Sequence, residues 1–131
     1  MTMQELEKDI LNDLQELGDA ISQYSFLIAC AGEVPPFPEE QKTEENLVRE
    51  CQVNTWMYIP TKDDKVSFDM DSEALIVKGA LSLLQELYNG RTLEEVRNFT
   101  CTLPEHEDFS RHFNAEQLKG VKAIIRSLKE L

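Results

Sequence analysis

Apolar residues recur at three- and four-residue steps over Met3, Leu6, Ile10, Leu14 and Leu17. That spacing lines one face of a helix, and Gly18 is placed to end it. A second helix is predicted from Asp19, a good N-cap type, through Ala20, Ile21, Tyr24, Leu27, Ile28 and Ala31 to Gly32. The two are expected to pack as a hairpin. From Gly32 to about Glu45 the prolines Pro35, Pro36 and Pro38 and an acidic run forbid regular structure, as in a binding or positioning linker.

The period then changes. Val53, Thr55, Met57 and Ile59 alternate with Asn54, Trp56 and Tyr58, and after a turn at Lys62-Asp63-Asp64-Lys65 a second strand alternates Val66, Phe68 and Met70 with Ser67 and Asp69. This reads as a β-hairpin. Asp71-Ser72 offers caps for a helix from Glu73 to Asn89, closed by Gly90, whose apolar positions run nearly all the way round, so it must be the buried central helix. Its polar stripe is Lys78, Ser82, Gln85 or Glu86, and Asn89. Thr92-Leu93-Glu94-Glu95 has capping-box form and starts a short helix to about Phe99. Thr100 to Phe113 reads as loop, and a last helix from Asn114 carries Leu118, Val121, Ile124, Ile125, Leu128 and Leu131 on one face. The expected fold is a single α+β domain over residues 1–131, a small antiparallel β-sheet covered by helices.

Charge narrows the partners. Thirteen Lys and Arg against 25 Asp and Glu give a net charge of −12, which repels phosphate backbones and anionic membranes, so neither nucleic acid nor membrane is an expected partner. No apolar run approaches the roughly 18 residues of a membrane span, and Met1 to Asp9 lacks the form of a signal peptide, which predicts a cytoplasmic protein. Cys30, Cys51 and Cys101 are an odd set without C-x-x-C spacing, read as reduced thiols.

Phosphate-binding glycine loops, H-E-x-x-H and G-x-S-x-G are all missing. His106 and His112 lie near Cys101, Glu105, Glu107 and Asp108, but the spacing does not supply four metal ligands. Asp71 and Glu73 read first as helix-start carboxylates that complement the dipole. Cys51 stands out because it sits at the mouth of the best strand signal, on a backbone expected to be fixed on one side and mobile on the other. The alternative is simple packing, since free cysteine is among the most buried residue types.

Asn46, Cys51-Gln52, Trp56, the block Asp71-Ser72-Glu73-Ala74-x-Ile76-Val77-Lys78-Gly79, then His112-Phe113 and Gly120 together resemble the SufE/CsdE family of sulfur-acceptor proteins. The resemblance runs from about the second helix to the C-terminus. It implies a fold like that family's and like the U-type iron-sulfur scaffolds. It also implies that Cys51 accepts persulfide sulfur from a pyridoxal-phosphate cysteine desulfurase of the SufS/CsdA type, stimulates it, and passes sulfur to an iron-sulfur scaffold. The chain would then be a covalent carrier rather than an enzyme, with no cofactor or metal of its own, the pyridoxal phosphate belonging to the partner. Supporting residues implied around the site are Asn46, Arg49, Glu50, Gln52, Asp71, Ser72, Glu73, Lys78, Gly79 and His112. The chain departs from the family pattern at Glu50, commonly glycine, at Val53, commonly serine, and at Gln117, where arginine is expected.

An unperturbed thiol has a pKa of about 8.5. Net negative charge and Glu50 discourage ionisation further unless Arg49 or a partner's cation lies close, so Cys51 alone is expected to be a sluggish nucleophile. The Pro35 to Glu45 linker and an exposed stripe at Lys78 and Ser82 are candidate docking surfaces. Two other readings stand beside the carrier: a U-type scaffold that assembles a cluster itself, and an acidic interaction module without redox chemistry.

Overall fold

The computed structural model describes residues 1–131. Helix α1 (Met3–Leu17) starts at a reciprocal cap between Thr2 and Glu5 and ends at Gly18, whose φ of 83° suits glycine. Helix α2 (Ala20–Ala31) starts where Asp19 Oδ1 accepts from the Ser22 N–H at 2.8 Å. Its buried residues are Gln23, Leu27 and Ala31. Ile21 and Tyr24, expected on the inner face, are instead 80% and 45% exposed. Gln23 takes the interior place because its amide is fully satisfied there, as described below.

The linker holds two single 3₁₀ turns, Glu39–Gln41 and Glu44–Asn46, and is anchored by buried Phe37. The predicted hairpin forms, but in two pieces. Strand β1 (Thr55–Tyr58) pairs antiparallel with β4 (Asp69–Ser72), and β2 (Thr61–Lys62) pairs with β3 (Lys65–Val66) around Asp63 and Asp64, both at positive φ. Pro60 lacks an N–H and interrupts the ladder between the pieces. Where the ladder fails, the polar stripe of the next helix takes over: Gln85 Nε2 donates to the Phe68 carbonyl at 2.9 Å, and Asn89 Oδ1 accepts from the Phe68 N–H at 2.5 Å.

That helix, α3 (Leu75–Tyr88), is the central one; α1, α2, α6 and β4 all pack on it. It begins two residues later than expected, with Ala74 as its N-cap. Asp71 and Ser72 are strand residues, not caps: Asp71 pairs with two lysines, and Ser72 bonds across the hairpin to Thr55 and reaches only the N–H of the N-cap residue Ala74. The Lys78 and Ser82 stripe is half-buried rather than exposed, since it faces the hairpin.

Helix α4 (Leu93–Asn98) has the Thr92–Glu95 capping box. The segment expected to be loop contains a 3₁₀ turn at Leu103–Glu105 and helix α5 (Glu107–Ser110), which buries Phe109. Helix α6 (Ala115–Lys129) opens with a reciprocal Asn114–Gln117 cap. The architecture is α+β.

Candidate functional site

The stretch before the cysteine folds back on the strand after it. The Val48 N–H donates to the Thr55 carbonyl at 2.8 Å, Leu47 bridges to Trp56, and the Cys51 N–H closes a turn on the Val48 carbonyl at 3.1 Å. On the far side, the Glu73 N–H donates to the Asn54 carbonyl at 3.0 Å and Glu73 Oε1 accepts from the Asn54 N–H at 3.3 Å. Residues 49–54 therefore form a loop clamped at both ends, not a strand mouth with one free side. Apart from the Glu73 carboxylate, the clamp consists of main-chain hydrogen bonds, so its geometry does not depend on side-chain identity within the loop. Glu50 keeps an ordinary negative φ, and nothing in this conformation requires glycine there.

The thiol points inward onto α6. A Cβ built on Gly120 would collide with Cys51 Sγ, so the missing side chain is what makes room for the sulfur. Around it lies a small pocket of about 60 Å³. Gln52 and Val53 of the loop, Thr55 of β1, Ala74 and Val77 at the start of α3, and Asn114, Glu116 and Gln117 at the start of α6 complete its walls. Cys51 is half-buried, and burial pushes its thiol up; the nearby Thr55 hydroxyl works the other way, and the Glu50 charge adds to the rise. Arg49 and Gln52 are exposed, and the charge that acts on the thiol is that of Glu50.

Four of the expected supporting residues, Asp71, Lys78, Asn46 and Gly79, fasten the surroundings rather than line the pocket. Burial alone would raise the Asp71 carboxyl, but Lys78 at 3.1 Å and Lys42 at 3.3 Å outweigh it and hold it below the usual range. Lys42 also lies 5.2 Å from the Trp56 ring centre, so Asp71 and Trp56 together pin the linker to the hairpin and to α3. Asn46 Nδ2 donates to the Gln41 carbonyl at 2.7 Å and closes the linker on itself. Gly79 lets α3 lie against α2, because a Cβ there would run into the Leu27 carbonyl.

His112 belongs to a different network. Its Nε2 is 2.9 Å from Gln23 Oε1, which also accepts from Arg111 Nε at 3.0 Å and Nη2 at 2.6 Å. Gln23 Nε2 in turn donates to the Leu14 carbonyl at 2.8 Å and to Asp108 Oδ1 at 2.9 Å. This ties α1, α2 and α5 together away from the thiol pocket. His106 meets Thr102 Oγ1 at 3.3 Å, and no group of three or more His, Cys, Asp and Glu side chains converges as a metal ion requires.

The other thiols sit elsewhere. Burial pushes Cys101 up to about 12, and Glu7 adds to the rise; Cys30 is raised by burial and then by Glu33 and Glu86. Thr55, Asn114 and Glu116 are pocket residues that sequence reasoning did not single out. The readable signal for one of them was a hydroxyl on the inward register of a strand, at Thr55.

The description of the matching family profile is "SufE: Fe-S metabolism associated domain", over residues 8–131. An uncharacterized SufE-like protein of Rhizobium etli is 26% identical over 130 residues, covering 92% of this chain and 85% of its own length. A hypothetical protein from Thermus thermophilus, solved in solution, superposes with a TM-score of 0.72 at 24% identity, covering 95% of this chain and 91% of the other, and so shares the fold. With the family profile spanning nearly the whole chain, including the Cys51 loop and Gly120, the protein belongs to the SufE family of iron-sulfur-metabolism-associated domains.

Proposed function

We propose that this protein accepts sulfane sulfur on Cys51 from the persulfide of a pyridoxal-phosphate cysteine desulfurase, stimulates that enzyme, and delivers the sulfur for iron-sulfur cluster assembly. The observation that carries the reading is the seating of Cys51 Sγ on Gly120 inside a small pocket, on a loop clamped at both ends. A thiol held this way is sheltered from solvent until a partner opens the site. In the transfer, the Cys51 thiolate attacks the terminal sulfur of the donor persulfide. A new Cys51 Sγ–S bond forms, the donor's S–S bond breaks, and its cysteine leaves as thiolate. The sulfane hydrogen travels with its sulfur and no external oxidant or reductant is needed.

Attack requires the thiolate, and burial disfavours it, so docking must expose or activate Cys51. With Glu50 exposed beside the thiol and Glu116 at the pocket, on a chain of net charge −12, the docking partner presents cations to this face. The pyridoxal phosphate resides in that partner. A cluster scaffold would need further ligands beside Cys51, and Cys30 and Cys101 pack against the hydrophobic core outside the Cys51 pocket.

Incubation with a cysteine desulfurase and cysteine, followed by peptide mass spectrometry without reductant, tests the proposal. A gain of one sulfur atom confined to the Cys51 peptide is expected, and it disappears in Cys51→Ser. Gain on the Cys30 or Cys101 peptide, or on none, overturns the assignment.

A further inference from the structure

The wall of the thiol pocket contains one member of a buried hydroxyl pair that the sulfur-transfer reading does not use. Thr55 is fully buried and lines the pocket, and its Oγ1 lies 2.8 Å from Ser72 Oγ, directly across the β1–β4 ladder. Each hydroxyl has one hydrogen to give and can accept two. Ser72 Oγ accepts from the Ala74 N–H at 3.2 Å, at the N-cap of α3, and its only hydroxyl neighbour is Thr55. Thr55 has a second acceptor in the Val53 carbonyl and Ser72 has none besides Thr55 Oγ1, so the arrangement that satisfies both hydrogens has Ser72 donating to Thr55. This leaves the Thr55 hydrogen to point at the Val53 carbonyl, 3.3 Å away, or to turn into the pocket that it shares with Cys51. A separation of 3.3 Å is long for an O–H···O bond, so the carbonyl is a weak competitor.

We propose that Ala74 N–H, Ser72 Oγ–H and Thr55 Oγ1–H form a one-directional donor relay that ends on Cys51 Sγ and stabilises its anionic form. The proposal rests on the reading that Cys51 is the transferring thiol. Thr55 lines the same pocket as the sulfur, and Ser72 is a positioning residue acting through Thr55. Donors in series polarise one another, and this series begins at the N-terminus of a 14-residue helix, where the backbone dipole already favours negative charge. When the sulfur is a neutral thiol, the Thr55 hydrogen rests on the Val53 carbonyl. When it is anionic, the hydrogen turns to it, as charge-assisted bonds are the stronger.

The relay counters an unfavourable setting. Facing the thiol, the loop supplies Glu50 and α6 supplies Glu116, both acids; α3 supplies Ala74 and Val77 and β1 supplies Thr55, none of them cationic. No other wall residue offers a fixed buried hydroxyl, and Asn114 and Gln117 spend their side-chain oxygens on the reciprocal cap of α6.

The test is the pH profile of Cys51 alkylation by iodoacetamide between about pH 6 and pH 10, read on the Cys51 peptide of the full chain. Thr55→Val keeps the side-chain shape and removes the donor. It is expected to move the profile to higher pH and slow alkylation near neutral pH on the order of tenfold, the worth of one hydrogen bond to a charged group. Thr55→Ser restores the wild-type profile. Ser72→Ala shifts it the same way by less, because Thr55 keeps its hydrogen but loses the donor behind it. A Thr55→Val protein that loses thermal stability while its profile coincides with wild type shows a merely structural pair and overturns the proposal. Should Thr55→Val fail to fold, an unshifted Ser72→Ala profile overturns it equally. A shifted profile in a protein whose Cys51 gains no sulfur from the desulfurase would uphold the relay and refute the acceptor reading, which keeps the two separable.

Discussion

Replacing Gly120 by alanine should turn the sheltered thiol into an exposed one without unfolding the protein. A Cβ at position 120 collides with Cys51 Sγ alone; Cys51 Cβ at 3.6 Å and Cα at 3.7 Å stay at ordinary contact distance. Rotation about χ1 of Cys51 relieves the clash, so neither α6 nor the loop backbone has to move. Alanine gains about 0.5–1 kcal/mol over glycine inside a helix, and expelling one buried sulfur, comparable to a methylene, costs about 0.8 kcal/mol. These nearly cancel, and the melting temperature should stay within about 4 °C of wild type. The thiol, once outside, loses the burial that raised it. Iodoacetamide labelling of the Cys51 peptide near neutral pH should then run within about threefold of the rate in the urea-unfolded chain, whereas the native wild type lags that rate on the order of tenfold. If docking on the desulfurase works by bringing the thiol out, the acceleration it gives should shrink in Gly120→Ala. Equal labelling of folded wild type and variant would refute the reasoning, because the sulfur would not then be held by its fit against α6.

Other predictions follow from the same geometry. At Gly79 the obstructing atom is the Leu27 backbone carbonyl, which cannot rotate away, so Gly79→Ala should cost about 2 kcal/mol or more, seen as a lower urea midpoint with unchanged slope. Cys101, pushed up to about 12 by burial, should stay unlabelled at about pH 8 in the native protein and react only on unfolding; labelling as fast as Cys51 would contradict its placement. Burial holds the His112 imidazole below its ordinary value, so the native state binds fewer protons there than the unfolded chain does. Its stability contribution is present above the unfolded value of about 6.5 and is lost as pH falls below it, which should appear as a falling melting temperature that flattens in His112→Gln.

Local rules located most element boundaries because side chains within three residues set them. Asp19, Thr92 and Asn114 all cap the helices their spacing announces. The rules failed where a residue's partner is distant in sequence. Asp71 and Ser72 look like caps, yet Lys42, Lys78 and Thr55 claim their side chains, and α3 starts later in consequence. Gln23 displaces Tyr24 from the interior because Leu14, Asp108 and Arg111 satisfy its amide, a network that no periodicity reveals. Cys51 stood out in the sequence, but its contact with Gly120 joins the loop to the last helix and leaves no mark in the loop itself. Ser72 and Gly120, two positions where local reasoning fell short, bear on Cys51, through Thr55 in one case and directly in the other. The same comparison bears on the family departure at Glu50. Its φ is ordinary and its loop is closed by main-chain bonds, so the seated thiol does not depend on glycine at that position. The consequence of Glu50 is electrostatic: it raises the thiol that the Thr55 side chain lowers. Glu50→Gln should therefore speed Cys51 alkylation modestly, about twofold or less, and salt should erase the difference, since an exposed charge is screened.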